Sequence, residues 1–204
     1  MSIKYPIISV TGSSGAGTTS VKHTFEHIFR REDVTAAFVQ GDAFHRYDRI
    51  DMERAMSDAS KKGNPNFSHF GPEANLFEDL EALFRNYASS GTGKVREYIH
   101  DPVESRAAKV PVGTFTPWTD IVPGTDLLLY EGLHGAVVSE TVNVARYADL
   151  KIGVVPVVNL EWIQKIERDR DIRGYTTEAV TNAILRRMPD YVNYICPQFT
   201  ETDI

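Results

Sequence analysis

Two stretches of this sequence hold residues whose types and spacing could do chemistry. The first is Gly12-Ser13-Ser14-Gly15-Ala16-Gly17-Thr18-Thr19-Ser20. Gly12, Gly15 and Gly17 can take backbone angles closed to other residues, so successive N–H groups can turn inward on a polyphosphate. Thr19 would then place a hydroxyl on Mg²⁺. A phosphate-cradling loop of this kind carries a lysine directly after its second spaced glycine. Gly12 and Gly17 keep that spacing, but Thr18 occupies the lysine position. The other reading is a tight turn whose glycines serve packing alone. If the loop binds phosphate, its missing charge must come from elsewhere.

The second stretch is Lys165-Ile166-Glu167-Arg168-Asp169-Arg170-Asp171-Ile172-Arg173-Gly174-Tyr175-Thr176-Thr177-Glu178. On a helix, Lys165, Arg168 and Asp169 fall at i, i+3 and i+4 and share one face, and Arg173 reaches back from the linker. Such a cluster would supply the cation the glycine loop lacks; a solvated helix face laced with ion pairs has the same pattern. Two further carboxylates close apolar strands. Asp42 follows Thr35-Ala36-Ala37-Phe38-Val39-Gln40, and Glu131 follows Leu127-Leu128-Leu129-Tyr130. Polar residues just past a strand's carboxyl end face the ligand crevice of an open α/β sheet. Glu131 fits the acidic end of a Mg²⁺-holding strand, or a plain core strand followed by a surface glutamate.

The elements needed to position these groups are legible. Tyr5 to Thr11, with β-branched Ile7, Ile8 and Val10, reads as a strand covered on both faces, and Thr18 to Arg31 takes a helical pattern. Asp48 to Lys62 is polar and helix-compatible before Gly63-Asn64-Pro65-Asn66 breaks it. A helix is expected from Pro72 or Glu73 to Tyr87, with Leu76, Leu80, Leu83 and Phe84 on one face. Lys94 to His100 suits a half-exposed strand or hairpin outside the main sheet, ended by Asp101-Pro102. Leu150 to Val158 is the next core strand. Helices follow at about Leu160 to Ile172 and Thr177 to Met188, with Pro189 as the stop.

Two hundred and four residues, 42% of them hydrophobic, suit a single domain with a real core. A net charge of −6 disfavours nucleic acid or an anionic membrane as partner, so any anion site must be built locally. The N-terminus lacks the basic start and apolar core of a secretion signal, and no apolar run approaches the roughly 18 residues of a membrane helix. A cytoplasmic enzyme is expected. Cys196 is the only cysteine, read as a buried structural thiol; no disulfide can form within the chain.

The run from Lys165 to Glu178 resembles the signature of the phosphoribulokinases at every specified position. The chain is also similar to that family at Gly12 to Thr19, Gly41 to Arg46, Phe67-Ser68-His69-Phe70, Tyr130 to Gly135 and Pro156 to Gln164. The resemblance implies an α/β fold of the P-loop NTPase, nucleoside-monophosphate-kinase-like kind, a three-layer sandwich with a mostly parallel sheet. It implies transfer of the γ-phosphate of ATP, with Mg²⁺, to O1 of D-ribulose 5-phosphate in the reductive pentose phosphate cycle. The bacterial branch has a similar loop without the lysine, tends to form octamers and responds to NADH, in which Arg31 would take part.

Carried over by position, the resemblance makes Asp42 the catalytic base and Lys165 and Arg168 the cations on the transferring phosphoryl group. His45, Arg49, His100 and Arg173 would hold the sugar phosphate. Gly12, Ser13, Ser14, Gly15, Ala16, Gly17, Thr18, Thr19 and Ser20 would hold the nucleotide, and Thr19, Glu131 and Asp169 the metal. Two departures stand out. Glu53 and Arg54 occupy a site where such proteins often carry lysine, and relatives continue past Ile204, so residues 1–204 are expected to lack the C-terminal part of the fold. The signature disfavours a uridine- or pantothenate-kinase-like enzyme; a non-catalytic nucleotide-binding remnant is the third reading.

Overall fold

Branched and aliphatic runs make the strands, and amphipathic stretches between them make the helices. The computed structural model describes residues 4–204. In chain order it contains β1 (Ile7–Thr11), α1 (Thr18–Arg31), β2 (Ala36–Gln40), α2 (Arg49–Lys61), α3 (Phe77–Ser90), β3 (Lys94–Val95), α4 (Pro102–Ala108), β4 (Thr119–Asp120), β5 (Leu127–Gly132), β6 (Leu150–Gly153), α5 (Val158–Asp171) and α6 (Thr177–Asp190). The central sheet is ordered β2-β5-β1-β6, with every pair parallel. Both faces are covered. On one, Ile7, Val39, Leu128 and Tyr130 pack with Leu80, Leu83, Phe84 and Tyr87 of α3. On the other, Val10 and Leu129 pack with Phe29, Phe25 and Val21 of α1. This is the expected three-layer α/β arrangement.

Register does the work of assembly. Val10 pairs with Glu131, Gln40 also pairs with Glu131, and Thr11 pairs with both Gly132 and Gly153. The carboxyl ends of four strands therefore lie level, and the segments that follow β1, β2 and β5 emerge along one edge of the sheet. That is the crevice side of an open α/β sheet.

Several elements depart from the sequence reading. The helix expected from Pro72 is a 3₁₀ turn (Pro72–Ala74) and then α3, separated by extended Asn75 at φ −129° and ψ 159°. The cause is tertiary: Leu76 N–H donates to Phe44 O at 2.8 Å, and Asn75 forms a bridge with His45. Asp101-Pro102 does not merely end a strand; Asp101 caps α4 by accepting from the Val103 and Glu104 amides, with Pro102 in the first turn. β6 stops at Gly153, ahead of Pro156, which has no N–H to offer a ladder.

Pro189 lies inside α6 rather than ending it. Tyr191 N–H carries the ladder past the proline by donating to Arg187 and Met188 carbonyls, and a π-helical turn follows at Tyr191–Ile195. Of the strand or hairpin expected over Lys94 to His100, only Lys94–Val95 is a strand, paired antiparallel outside the main sheet with β4, which follows α4. Asp203 and Ile204, which show no ending signal, run beside β6: Ile204 N–H donates to Lys151 O at 3.3 Å, and Ile204 O accepts from Gly153 N–H at 2.8 Å. Cys196 is half-buried, not buried. Among the described residues, no helix is long and apolar enough to cross a membrane.

Candidate active site

The glycine loop leaves β1 and wraps toward α5. Gly15 and Gly17 hold φ of 105° and 101°, a region that L side chains rarely enter. At Gly15 space is also short: a Cβ would lie 2.8 Å from Glu161 O and 2.9 Å from Lys165 Cβ. The loop is therefore shaped by α5. Ser13 donates to buried Glu161, and Ser14 Oγ accepts from Arg168 Nη2 at 2.9 Å and Lys165 Nζ at 3.5 Å. The positive charge absent at Thr18 arrives here from another helix. Thr18 turns its hydroxyl to Glu131 Oε1 at 2.5 Å, with Thr19 Oγ1 at 3.4 Å from the same oxygen.

Asp169 gathers the cations. Its Oδ2 lies 2.7 Å from Lys165 Nζ, and its Oδ1 lies 2.9 Å from Arg168 Nη2 and 3.2 Å from Arg173 Nη1. Burial pushes the Asp169 carboxyl up, but the Lys165 hydrogen bond and the charges of Lys165, Arg168 and Arg173 hold it below the usual carboxylate range. Burial pulls Lys165 down to about 8 against the opposing pull of Asp169. Among the described residues, the carboxylate of Asp169 meets Lys165, Arg168 and Arg173 of this helix and linker, whereas Glu131 serves the loop threonines. The expected metal trio is thus split between two partners.

Asp42 sits in a 3₁₀ turn directly after β2, at the bottom of a wall of imidazoles. His45 Nε2 is 3.2 Å from its Oδ1 and His100 Nε2 is 3.4 Å from its Oδ2. His69 stacks on His45 with ring centroids 4.1 Å apart. Burial raises the Asp42 carboxyl, yet the His45 hydrogen bond and the charges of His45 and His100 bring it far below its ordinary value. The turn is anchored from behind by Arg96, which donates to Ala43 O and His45 O, both at 2.7 Å, and whose guanidinium carbon lies 3.7 Å from the Phe115 ring centre and 4.6 Å from that of Trp118.

Of the expected substrate residues, His45 and His100 converge on Asp42. Arg49 heads α2 and lies by Tyr98, whose phenol is pushed up by burial with the Arg49 guanidinium opposing. Tyr98 in turn meets His100 edge-on at 4.8 Å. Arg173 joins Asp169 instead of the histidines. Glu53 lines a surface cleft between α2 and α6 with Arg186, and Arg54 pairs with Asp51. Arg31 is exposed and paired with Glu32.

Sequence reasoning gave no role to Asn75, Arg96, His134, Glu161 or Arg187. His69, His134 and Glu161 lie within motifs already singled out, so their positions were visible and only their contacts were not. His134 Nε2 donates to His69 O, 3.0 Å away, and burial drops the ring to about 4. Burial takes Arg187 down to about 10, and its Nε has no hydrogen-bond partner among the described residues.

A parallel sheet with a glycine loop after β1, a carboxylate after β2 and cations delivered from a late helix defines a P-loop kinase. The family model described as "Phosphoribulokinase / Uridine kinase family" matches residues 7–204, and the chain belongs to that family. It is 68% identical over 201 residues to a phosphoribulokinase of Nitrobacter vulgaris, covering 98% of this chain and 69% of that one. It is 62% identical over 204 residues to the chromosomal phosphoribulokinase of Cupriavidus necator, covering 100% and 70%. A solved phosphoribulokinase from Rhodobacter spheroides superposes with a TM-score of 0.85 at 56% identity, covering 98% of this chain and 68% of that one. A D-glycerate 3-kinase from Cryptococcus neoformans shares the fold at a TM-score of 0.62 and 13% identity.

Proposed function

We propose that this chain is a phosphoribulokinase, moving the γ-phosphate of ATP to O1 of D-ribulose 5-phosphate. Identity of 58–68% to proteins of that name across the chain favours this over a uridine-kinase-like enzyme or a non-catalytic remnant. The observation that carries the reading is the presence of two groups on the carboxyl-end side of one sheet: Asp42 with its histidines after β2, and the Lys165–Arg168 pair on the glycine loop after β1.

Asp42 accepts the O1 proton as the oxygen attacks, with Oδ1 held by His45. Arg49 and His100 orient the sugar phosphate by charge-assisted hydrogen bonds, while His45, whose two ring nitrogens face Asn75 and Asp42, serves the acceptor through Asp42. Gly12 to Ser20 cradle the nucleotide at the positive end of α1, whose first turn carries no acidic residue. Lys165 and Arg168 meet the charge that spreads over the transferring group, and Asp169 and Arg173 keep them aimed.

The oxygen donors fit Mg²⁺. Thr18 and Thr19 hydroxyls converge on one Glu131 oxygen, and among the described residues no cluster of three His, Cys, Asp or Glu is set to hold a metal. Hard oxygens in small number match an ion that keeps water and phosphate as its other ligands. When bound, it neutralises charge on the nucleotide phosphates; Thr19 and Glu131 would hold it, with Asp169 outside its ligands. A homo-oligomer and NADH as effector complete the proposal by family resemblance.

A coupled assay of ADP release with and without D-ribulose 5-phosphate tests it. Release that depends on that sugar supports the reading. Release stimulated by uridine instead, or none with any acceptor despite nucleotide binding, overturns it.

A further inference from the structure

Asn75 is 2% exposed and all of its side chain's hydrogen-bonding capacity is directed by its neighbours. Its Nδ2 donates to His69 O at 2.9 Å and to Gly71 O at 2.6 Å. Turning the amide over would set its oxygen against two carbonyl oxygens, so only one orientation is tenable. Asn75 Oδ1, 2.8 Å from His45 Nδ1, is then an acceptor, and His45 must carry a hydrogen on Nδ1. The other ring nitrogen faces Asp42 Oδ1 at 3.2 Å. A neutral ring with its proton on Nδ1 would aim a lone pair at a carboxylate oxygen. A second proton on Nε2 turns that clash into a charge-assisted hydrogen bond.

From this we infer that Asn75 is a positioning residue that fixes the proton of His45 on Nδ1, so that His45 can hold the Asp42 carboxylate only as an imidazolium. The inference deepens the proposed reaction and rests on that reading for its kinetic consequence. With Oδ1 anchored by a charged donor, Oδ2, which has His100 Nε2 at 3.4 Å, is the oxygen that meets the acceptor hydroxyl through its remaining lone pair, and the competent enzyme has Asp42 ionised and His45 protonated together. Asn75 touches no reacting atom and acts through His45.

The groups facing His45 from other elements fit this assignment. His69, stacked on it from the Phe67–Phe70 segment, is driven well below its usual range by burial first and by the His45 charge next, so it stays neutral and adds no competing cation. His134, from the segment after β5, is neutral for the same reason of burial. His100 reaches the other Asp42 oxygen, the Arg96 guanidinium takes the His45 carbonyl, and Arg46 Nη2 takes the Asn75 carbonyl at 2.9 Å. Asp42 is the carboxylate in direct contact with the ring.

The test is nitrogen NMR of the imidazoles in ¹⁵N-histidine-labelled protein without substrate, with the His45 signals assigned by their loss in His45→Gln. At pH 7, both His45 nitrogens are expected in the protonated range, and Asn75→Ala is expected to convert His45 to a neutral ring with its hydrogen on Nε2. A wild-type His45 bearing hydrogen on Nε2 alone overturns the assignment, whether or not the variant folds. In kinetics, kcat/KM for the sugar phosphate should fall about tenfold in Asn75→Ala while the KM for ATP stays within a few-fold. A matching rise in the KM for ATP would make Asn75 merely structural. A doubly protonated His45 in a chain inactive toward ribulose 5-phosphate would sink the proposed reaction and leave the ring assignment standing.

Discussion

The two halves of the site handle charge in opposite ways. Over the glycine loop, Lys165, Arg168 and Arg173 crowd a single buried carboxylate, Asp169, and every charge there has a partner within 3.2 Å. Around Asp42 the carboxylate is single as well, but its partners are the imidazoles of His45 and His100, and His45 is held in turn by an uncharged group, Asn75 Oδ1. The first half presents arginines whose charge is constant near neutrality; the second presents rings whose charge is decided by hydrogen bonds. A transferring phosphoryl group needs constant positive potential, whereas an acceptor hydroxyl needs a base poised to take a proton. The difference follows from those two demands.

Breaking the acceptor half should cost most. Asp42→Asn removes the base while keeping its shape, and turnover is expected to fall by about 10³ to 10⁴ with the Kd for ribulose 5-phosphate within a few-fold. Parallel losses in both constants, from steady-state rates and calorimetry, would reassign Asp42 to structure. At the phosphate half, Lys165→Met should lower kcat by about 10³, roughly 4 kcal/mol, because its contact strengthens as charge develops on the transferring group. The Kd for ATP should change much less; an equal rise would make Lys165 a ground-state binder.

These expectations rest on positions that were visible in sequence and contacts that were not. Asp42 and Glu131 could be named because an acidic residue directly after an apolar strand faces the crevice of a parallel sheet. Lys165, Arg168 and Asp169 could be placed on one face because helical spacing alone demands it. What lay out of reach was the destination of that face: Arg168 meets Ser14 across 154 residues of chain. Asn75 looked like part of a helix, since nothing local reveals that His45 and two carbonyls claim its side chain.

The histidine wall also sets an acid limit on stability. His134 is buried neutral with its proton affinity lowered to about 4, so between pH 6.5 and 4 the unfolded chain binds a proton that the folded chain refuses. Stability from this group is therefore lost as pH falls through that window, by up to about 3 kcal/mol. Thermal melts from pH 7 to 4.5 should show His134→Gln flattening the decline; an unchanged slope would place the acid sensitivity elsewhere. The smallest expected effect belongs to Lys165, the one cation of the phosphate half brought near neutrality. With its proton leaving near pH 8 in the free enzyme, kcat/KM for ATP should fall above that pH. Lys165→Arg, whatever its residual rate, should carry the limb beyond pH 10, and a limb that stays put would assign it to another group.

The sequence by itself determined the parallel α/β class, the loop after the first strand, the carboxylates at strand ends and the single charged face of the late helix. Each is a local matter: side chains alternate or recur with the period of their own element, and glycine spacing is read along a few residues. Tertiary structure alone decided which cation reaches the loop, that Asp169 binds cations on both oxygens, and which nitrogen of His45 carries the fixed hydrogen. Those outcomes depend on burial and on partners far apart in the chain. A pKa or a tautomer belongs to an assembled environment, and no run of neighbouring residues contains it.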